Sequence, residues 1–470
     1  MKLNTSQVTF HPFSYGDWSG RVFSWEGGIY RAISSERAPF YEHLFSDGIF
    51  HDLMCRQLLV ASEITDLELD GYALVLKHHT VPFASRCYEW CGEMLKAAAL
   101  SVLKLERELL KYGLTLQDAH PYNVLFDGPM PIWVDLGSLV PACHGEPWHA
   151  YEEFLAYYTR PLKIMATGRG DIARCLLRCL LRPEDSGIQQ RDVDAITGTA
   201  FTELIKIAKT RAKTAAKKII PSMLRPLARH ALRSVPRPPL FREMKEPTST
   251  VDNAIHEVEN IRLICPTARP NLYEDFPDFI STADWTEKHR SVVQILSTKK
   301  PGSVLDIGSG HGWYSQFAAR NDAQIISVDF DELSVTNLFF DAVERKLPIL
   351  PLVQDFRSLN PMMAWAAAPG VTPVDRFRCD MVLALALVHH LVFEQHLNFD
   401  LIVRGLSAFA QKHLVIEFID CEDQYVRERL NGRFSWYNLE NFLTAIRQEF
   451  HEVKKFPSNE EHRWVFLCEK

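Results

Sequence analysis

Residues 301–315 read PGSVLDIGSGHGWYS, a short apolar run followed by a turn with glycine at every second position. The run GSVLDIG has the length and the branched side chains of a buried strand. Gly308, Gly310 and Gly312 let the backbone approach a bound molecule where a Cβ atom would collide. The residues after the turn predict a helix. A strand, a glycine turn and a helix in this order predict a ligand site at the carboxyl end of the strand.

Three aspartates stand at the ends of successive predicted strands. Asp306 opens the glycine turn, Asp329 ends the run QIISVD, and Asp355 follows ILPLVQ. A carboxylate at the second position can bind both hydroxyls of a ribose, and one at the third can hold an adenine amino group. Each aspartate can alternatively cap the helix that follows it, which is a common use of this residue. Their order favours a nucleotide-like ligand.

The whole C-terminal half alternates between two kinds of segment. Short apolar runs with few charges predict buried parallel strands, and longer amphipathic segments between them, such as SVTNLFFDAVERK and FDLIVRGLSAFAQK, predict helices. Such alternation is typical of a doubly wound sheet, whose ligand lies beyond the carboxyl ends of the strands. The predicted strands are GSVLDIG, QIISVD, ILPLVQD, CDMVLALAL and HLVIEF.

With an acid leading its three glycines, this turn resembles that of the class I S-adenosylmethionine-dependent methyltransferases, over about residues 270–470. The resemblance implies an α/β fold with a Rossmann-like, doubly wound, seven-stranded sheet and S-adenosylmethionine as cofactor. NAD-dependent dehydrogenases are the alternative for such a turn, but their glycine fingerprint lacks the leading acid. The resemblance places Gly308 and Gly310 under the methionine portion, Asp329 on the ribose and Asp355 near adenine, and the implied cofactor-binding set is Asp306, Gly308, Ser309, Gly310, Asp329, Phe330, Asp355 and Phe356.

Three further segments narrow the resemblance. DWTEKHRSV, LALALVHHL and LVIEFIDCEDQYVRERL look like the methyltransferases grouped with host-specific nodulation proteins and surface-polysaccharide modification. Trp285 and Lys288 fit the first of these segments. The resemblance implies a small-molecule acceptor, with a saccharide or glycolipid precursor favoured.

Methyl transfer is an in-line displacement, so alignment of the acceptor supplies much of the rate, and a hydroxyl acceptor also needs a base. His389 and His390 follow the fourth predicted strand, and a histidine has a suitable pKa for this work. We predict that one of them is the base and that Glu417, on the fifth strand, orients it. The alternative is that one histidine packs in the core and the other caps the strand.

A second constellation lies in the N-terminal half, where residues 116–138 read LQDAHPYNVLFDGPMPIWVDLGS. Asp118, Asn123 and Asp135 match the kinase plan in which an Asp accepts the hydroxyl proton while an Asn and a second Asp hold magnesium on the phosphates. The stretch resembles protein kinases and aminoglycoside-phosphotransferase-like kinases over about residues 20–180. An α+β kinase-like domain is therefore expected, with a helix over about 84–112 and Asn123 and Asp135 as metal ligands if the site is active.

Three departures from the kinase pattern matter. Leu116 stands where kinases usually have a His, two residues before Asp118. No G-x-G-x-x-G phosphate loop is present, and Arg31 stands where a strand lysine is expected. An arginine fork does not replace a compact ammonium group in reach or geometry. Mg-ATP binding at this domain is therefore an open alternative to a kinase-like domain kept for substrate binding or structure, and the motif can also be a polar turn in an unrelated fold.

An aromatic group follows the kinase-like motif. Trp148, Tyr151 and Phe154 lie in the segment EPWHAYEEF, which also looks like the leader domain that accompanies this methyltransferase group. We predict that these side chains pack the core of that domain. A sugar-binding aromatic platform is the alternative.

Size and composition agree with two domains. The chain has 470 residues, more than one core usually supports, and a formal net charge of −7, which argues against nucleic-acid coating. A Pro-rich, basic stretch near 206–247 separates the halves, so we assign residues 1–235 to the kinase-like domain, 236–265 to a linker and 266–470 to the methyltransferase domain. No secretory signal and no membrane-spanning run is evident, which predicts a cytoplasmic protein.

The cysteines are scattered, and the pairs Cys87/Cys91 and Cys175/Cys179 are expected on helix faces as small core residues rather than as disulfides or metal ligands.

The sequence predicts a two-domain enzyme that transfers a methyl group from S-adenosylmethionine. The first alternative is a bifunctional kinase–methyltransferase with an active N-terminal site. The second is a non-catalytic scaffold that binds ligands without turnover. The sequence leaves the accepting atom and the oligomeric state open.

Overall fold

The computed structural model describes residues 1–11, 14, 19–143, 146–181, 247–264, 279, 282–362, 372–459 and 461–470. The predicted domain boundary at 235/236 and most of the basic, Pro-rich stretch lie outside these residues. Within the predicted linker, residues 247–259 form a helix that buries Val251, Ile255 and Val258 and packs on the helix Gly92–Lys111. This part of the linker is therefore an ordered piece of the N-terminal domain.

The N-terminal part is α+β. Its main sheet is antiparallel with five strands in the order β2-β3-β4-β7-β5. The strands are β1 (Lys2–Leu3), β2 (Thr9–Phe10), β3 (Gly20–Trp25), β4 (Gly28–Ile33), β5 (Ser62–Ile64), β6 (Glu68–Leu69), β7 (Leu74–His78), β8 (Leu114–Leu116), β9 (Val124–Asp127), β10 (Met130–Trp133) and β11 (Leu139–Pro141). The α-helices are Ala38–Ser46, Ile49–Cys55, Gly92–Lys111, Tyr151–Phe154, Arg160–Met165 and Gly170–Leu181, and a π-helix spans Leu155–Thr159.

The long helix Gly92–Lys111 organises this domain. Apolar side chains three and four residues apart, such as Leu95, Ala98 and Val102, form its buried stripe. The helix is shorter than the predicted range of about 84–112, because Cys87–Glu89 forms a separate 3₁₀ turn. Two antiparallel strand pairs, β8/β11 and β9/β10, follow the helix and hold the predicted kinase-like motif between them.

The C-terminal part confirms the predicted α/β sheet. Its seven strands have the order β14-β13-β12-β15-β16-β18-β17, and all pair in parallel except β18, which is antiparallel to both neighbours. The strands are β12 (Ser303–Ile307), β13 (Gln324–Asp329), β14 (Ile349–Val353), β15 (Cys379–Ala384), β16 (Ala410–Ile419), β17 (Glu452–Pro457) and β18 (Arg463–Glu469). The helices are Glu287–Lys299, Trp313–Ala319, Glu332–Arg345, Phe356–Leu359, Pro373–Phe377, Val388–Phe393, Phe399–Phe409, Gln424–Arg429 and Leu439–Glu449.

The two parts share one apolar core, and several polar contacts join them. Arg376 donates to both carboxylate oxygens of the buried Glu89, at 2.6 and 2.7 Å, and Phe377 packs on Phe83 beside them. The Glu332 carboxylate accepts the Gly92 amide at 3.1 Å and lies 3.0 Å from the Arg174 guanidinium. Glu332 is the first residue of a helix that begins three residues after Asp329. The N-terminal domain thus contacts the start of the helix Glu332–Arg345, which lies beside the predicted cofactor site.

The described cysteines are free thiols. Cys87 and Cys91 are buried, but they lie in a 3₁₀ turn and just before a helix, so they do not share the helix face that was predicted. Cys175 and Cys179 do lie on one helix, Gly170–Leu181, where Cys175 is exposed and Cys179 half-buried. None of the helices in the described ranges is long and apolar enough to cross a bilayer.

Candidate functional site

The chain order of the sheet reverses between β12 and β15, which lie side by side. In doubly wound sheets a crevice opens at such a point, beyond the carboxyl ends of the strands. The glycine turn after β12, the aspartate at the end of β13 and the histidines after β15 all lie at this edge. The fold therefore gathers most of the predicted site.

The glycine turn is held in a form that needs glycine. Gly308 has φ +75°, donates its amide to Val328 O at 2.8 Å, and a Cβ on it would lie 3.1 Å from Leu387. Gly312 has φ +69°, and a Cβ there would lie 2.6 Å from Leu338. Side chains at either position would strain the turn and crowd its packing.

Asp306 lies buried beneath the turn. Its carboxylate accepts the Ser315 hydroxyl at 2.7 Å, and Ser315 lies in the first turn of the helix Trp313–Ala319. Burial raises the pKa of Asp306 to about 7. The predicted alternative of a helix cap does not describe this residue, because Gly312 occupies the N-cap position. Asp306 instead joins the strand to the helix under the turn.

Asp329, at the end of β13, holds the glycine turn by accepting a hydrogen bond from the turn's backbone. One carboxylate oxygen accepts the Gly310 amide at 2.8 Å, and the other accepts the Asp331 amide at 2.9 Å. Asp331, not Asp329, caps the following helix. Burial raises the pKa of Asp329. A carboxylate has about four acceptor sites in all, so Asp329 retains capacity for a ligand.

Two aromatic residues in the predicted cofactor set differ sharply in exposure. Phe330, next to Asp329, is 71% exposed, although it is a large apolar side chain at the edge where the crevice opens. Phe356, next to Asp355, is buried and serves the core. Of the two, the structure leaves only Phe330 accessible to a ligand.

Neighbouring residues already donate hydrogen bonds to the Asp355 carboxylate. It caps the helix Phe356–Leu359 by accepting the Arg357 amide at 2.9 Å, and it pairs with the Arg357 guanidinium at 2.8 Å. The cap alternative therefore describes Asp355. The Gln395 side-chain amide donates to it at 3.4 Å. Sequence reasoning missed Gln395, since nothing in its local pattern distinguishes it.

The two histidines are the second and third residues of the helix Val388–Phe393 and have different surroundings. His389 is buried, and burial holds its pKa well below the usual value, with the positive field of His390 and Arg463 adding to the effect. His390 is 38% exposed in its side chain, and its Nδ1 lies 2.9 Å from Glu394 and 3.4 Å from the Tyr425 hydroxyl.

The structure corrects the predicted role of Glu417. Its carboxylate accepts Lys288 Nζ at 2.6 Å, the Ser458 hydroxyl at 2.6 Å and the Ala386 amide at 2.8 Å. These donors engage both of its oxygens, so Glu417 fixes Lys288 and the loop after β15 rather than a histidine. The carboxylate that contacts a histidine here is Glu394, one helical turn after His390, a spacing visible in the sequence.

The first predicted segment of the narrower resemblance also contributes to this edge. Lys288 lies in the first turn of the helix Glu287–Lys299 and reaches Glu417. Trp285 is buried with its ring edge-on to Trp313, 5.5 Å between centroids. The segment before β12 thus packs on the helix that follows the glycine turn.

The predicted kinase-like residues also come together. The Asn123 side-chain amide donates to Asp118 at 2.6 Å, and the Arg31 guanidinium contacts Asp135 at 2.5 Å. Asp135 also accepts the Gly137 amide at 3.0 Å. The arginine on β4 therefore neutralises the carboxylate that was predicted to hold a metal.

Burial and neighbouring carboxylates shift the titration of this N-terminal cluster. Burial, Asp135 and Glu153 raise the pKa of Asp118 to about 7. Burial lowers the pKa of His120 to about 4. Burial and the charge of Arg31 lower the pKa of His78 to about 3. No cluster of potential metal ligands is formed within the described part of the chain.

The predicted aromatic group packs in the core. Trp148 and Phe154 are buried, and the Trp148 indole donates to Leu116 O at 3.0 Å. Tyr151 is half-buried against Trp148. The core prediction is confirmed for Trp148 and Phe154, and these two rings offer no sugar platform.

The chain is similar to a nodulation protein along almost its whole length. It is 28% identical over 459 residues to the nodulation protein NoeA of Rhizobium meliloti (strain 1021), a match that covers 94% of this chain and 92% of that protein. No protein-family model matches the chain.

Several solved structures are similar to part of the chain. The bifunctional kinase-methyltransferase WbdD is 19% identical, with a TM-score of 0.29 over 38% of this chain and 37% of that one. Magnesium protoporphyrin IX methyltransferase of Synechocystis PCC 6803, with bound S-adenosylmethionine, is 17% identical, with a TM-score of 0.28 over 38% and 77%. TehB of Haemophilus influenzae is 15% identical, with a TM-score of 0.30 over 41% and 64%.

Proposed function

We propose that the C-terminal domain binds S-adenosylmethionine and transfers its methyl group to a small acceptor. The observation that supports this most is Asp329, a buried carboxylate at the crevice edge that holds the glycine turn by accepting the Gly310 amide. A buried carboxylate in this position can accept both ribose hydroxyls. The similarity to NoeA, which covers 94% of the chain, agrees with the sequence resemblance.

The residues present fit the cofactor in two further ways. The Ser309 hydroxyl oxygen, in the glycine turn, is buried and has no hydrogen-bond partner among the described residues. An unsatisfied buried polar group costs about 1–3 kcal/mol, so a ligand that pairs with it is favoured. Phe330 offers an exposed ring beside Asp329. The glycine turn, Ser309, Asp329 and Phe330 are therefore the residues that would hold the cofactor.

When bound, the cofactor supplies an electrophilic methyl group on a sulfonium. The chain's part in the reaction is to align the acceptor and, for a hydroxyl acceptor, to take its proton. We assign the acceptance of this proton to His390 Nε2, because Glu394 engages Nδ1 and the ring is accessible at the crevice edge. His389 is buried and neutral, and we assign it to packing. The favoured acceptor, a saccharide or glycolipid precursor, rests on family resemblance alone.

The decisive experiment is titration calorimetry of the full chain with S-adenosylhomocysteine. Binding with a one-to-one stoichiometry is expected. Absence of binding to the folded protein would overturn the proposed function. Binding without methyl transfer to any acceptor from a panel of saccharides and lipid-linked sugars would favour the scaffold alternative.

The histidine assignment predicts two different defects. His390→Ala is expected to lower kcat by about 100-fold or more at neutral pH with an unchanged affinity for S-adenosylhomocysteine, because a general base typically contributes that factor. His389→Ala is expected to lower the melting temperature instead, because it removes a buried ring. Both readouts are taken on the same preparations, and full turnover of His390→Ala would show that the base lies elsewhere.

For the N-terminal domain we propose a kinase-like fold that does not turn over ATP. The supporting observation is the ion pair between Arg31 and Asp135, which engages the carboxylate a magnesium ion would need. The nearby Asp118 has its pKa raised to about 7, so a fraction of it is protonated at neutral pH. Whatever ionised carboxylate remains at Asp118 and Glu153 would repel a phosphate group that approached without a metal.

Mg-ATP is therefore expected to leave the melting temperature of the full chain unchanged within about 1 °C. A nucleotide that bound this site at 100 times its dissociation constant would stabilise the fold by about 2.7 kcal/mol, a shift of several degrees. Thermal denaturation with and without Mg-ATP measures the difference. A clear rise that Asp135→Ala abolishes would support the bifunctional kinase–methyltransferase instead.

A further inference from the structure

Asp355 is poorly placed to recognise adenine directly. Its oxygens already accept the amide and the guanidinium of Arg357, and a further hydrogen bond comes from the side chain of Gln395. A carboxylate with these partners has little capacity left for an exocyclic amino group. The family resemblance implied that Asp355 binds the adenine amino group. That hydrogen bond must therefore come from another acceptor at the same edge.

Gln395 supplies such an acceptor. Its Nε2 lies 3.4 Å from Asp355 Oδ1. Because a carboxylate can only accept, the amide nitrogen must face Asp355, and this fixes the orientation of the amide. Its Oε1 is then directed away, and that oxygen is buried without a hydrogen-bond partner among the residues the structure describes.

A buried amide oxygen without a donor costs about 1–3 kcal/mol. Such a group in a native structure needs an explanation, and at the edge of a ligand crevice a ligand that donates to it supplies one. The site lies at the carboxyl ends of β13 and β14, which are adjacent strands. Phe330, exposed at the end of β13, provides an apolar face at the same edge. An apolar ring and a lone acceptor together suit a planar heterocycle that carries an amino donor.

We propose that Gln395 is the residue that distinguishes adenine from other purines, accepting the adenine 6-amino group on Oε1. Asp355 is a positioning residue, which orients the Gln395 amide and caps the next helix. This assignment rests on the proposed function, since it takes the ligand to be S-adenosylmethionine. It adds a determinant of base specificity that lies 40 residues after Asp355 in the chain.

The test compares S-adenosylhomocysteine with S-inosylhomocysteine, in which a carbonyl oxygen replaces the amino group. Calorimetry of the full wild-type chain is expected to show at least about 10-fold tighter binding of the adenosyl compound, since a site built for a donor rejects an analogue that lacks it. Gln395→Met keeps the side-chain length and removes the acceptor. It is expected to lower the affinity for the adenosyl compound by about 10-fold and to bring the affinity ratio close to one.

Gln324→Met is the matched control, because Gln324 is exposed at the amino end of β13, away from the crevice. It should leave both affinities unchanged. An unchanged ratio in Gln395→Met, or an equal loss of both ligands, would overturn the assignment of Gln395 while leaving the cofactor proposal intact. If neither compound bound the folded wild-type chain, the proposed function and this inference would fail together.

Discussion

Asp329→Ala is expected to lower the affinity of the full chain for S-adenosylhomocysteine by at least about 100-fold. Two hydrogen bonds to a charged acceptor are worth about 1.5–3 kcal/mol each, and 1.4 kcal/mol corresponds to a factor of ten. The substitution also removes the acceptor of the Gly310 amide, so the glycine turn loses one of its fixed points. Titration calorimetry on the full chain measures the loss, and circular dichroism confirms that the variant is folded.

Asp331→Ala separates cofactor binding from helix capping. Asp331 lies two residues away and caps the helix Glu332–Arg345 through the Ser334 amide at 3.0 Å. Losing this cap should cost about 1 kcal/mol of stability. The affinity for the ligand should stay within a few-fold of the wild type. If Asp331→Ala lost binding while Asp329→Ala kept it, the ribose assignment would be wrong.

Asp329 also makes the affinity depend on pH. Burial raises its pKa above the usual value. Ribose hydroxyls donate to the ionised carboxylate, so the ligand favours the deprotonated form. The affinity should therefore increase as the pH rises through the raised pKa of Asp329. In Asp329→Ala, the part of the pH dependence of the affinity that comes from Asp329 should be absent.

The C-terminal sheet, and the glycine turn at the centre of the proposed cofactor site, could be predicted because their signals are local. Each strand is one short apolar run, and the turn from Asp306 to Gly312 lies within seven consecutive residues. Asp329 could be found in the same way, as the acid that ends the next run. Physical chemistry within a single strand-turn-helix unit is enough to predict where these residues lie in the fold.

The remaining contacts could not be predicted because they join distant parts of the chain. Lys288 and Glu417 lie 129 residues apart, and Arg31 and Asp135 lie 104 apart. Arg376 and Glu89 lie 287 residues apart. A single sequence shows that each side chain is charged, but its partner depends on how the elements pack. The predicted pairing of Glu417 with a histidine failed for this reason.

The interface between the domains gives the N-terminal domain a role that needs no turnover. Glu332 is held by Gly92 and Arg174, both from that domain, and it begins the helix that follows Asp331. The position of the loop after β13 is therefore set from both sides of the interface. The N-terminal domain, whose kinase-like fold is our proposal, can be retained for this structural contribution to the proposed cofactor site.

Lys288→Met is expected to destabilise the protein by about 3–5 kcal/mol, because it leaves the Glu417 carboxylate buried without its cation. The side chains of Lys288 and Glu417 are only 13% and 2% exposed. Glu417 also holds the Ala386 amide, in a loop where Ala386 has φ +51°. Equilibrium urea denaturation measures the loss. Arg290→Met, which breaks an exposed pair with Glu287 on the same helix, is the control and should change stability by less than about 0.5 kcal/mol.

The contribution of Glu417 to the pH dependence of stability should have the opposite sign in Lys288→Met and in the wild type. Burial alone would raise the pKa of Glu417, but the charge and hydrogen bond of Lys288 and the Ser458 hydroxyl lower it below its usual value of 4.5. A lowered folded-state pKa contributes stability that is present above pH 4.5 and is lost as the pH falls through the folded pKa. In Lys288→Met burial dominates, and the folded-state pKa of Glu417 rises above 4.5. Stability is then lost as the pH rises from 4.5 through this raised pKa. Adding Glu417→Gln should recover much of the loss at neutral pH, and a single variant as stable as the wild type would contradict the buried ion pair.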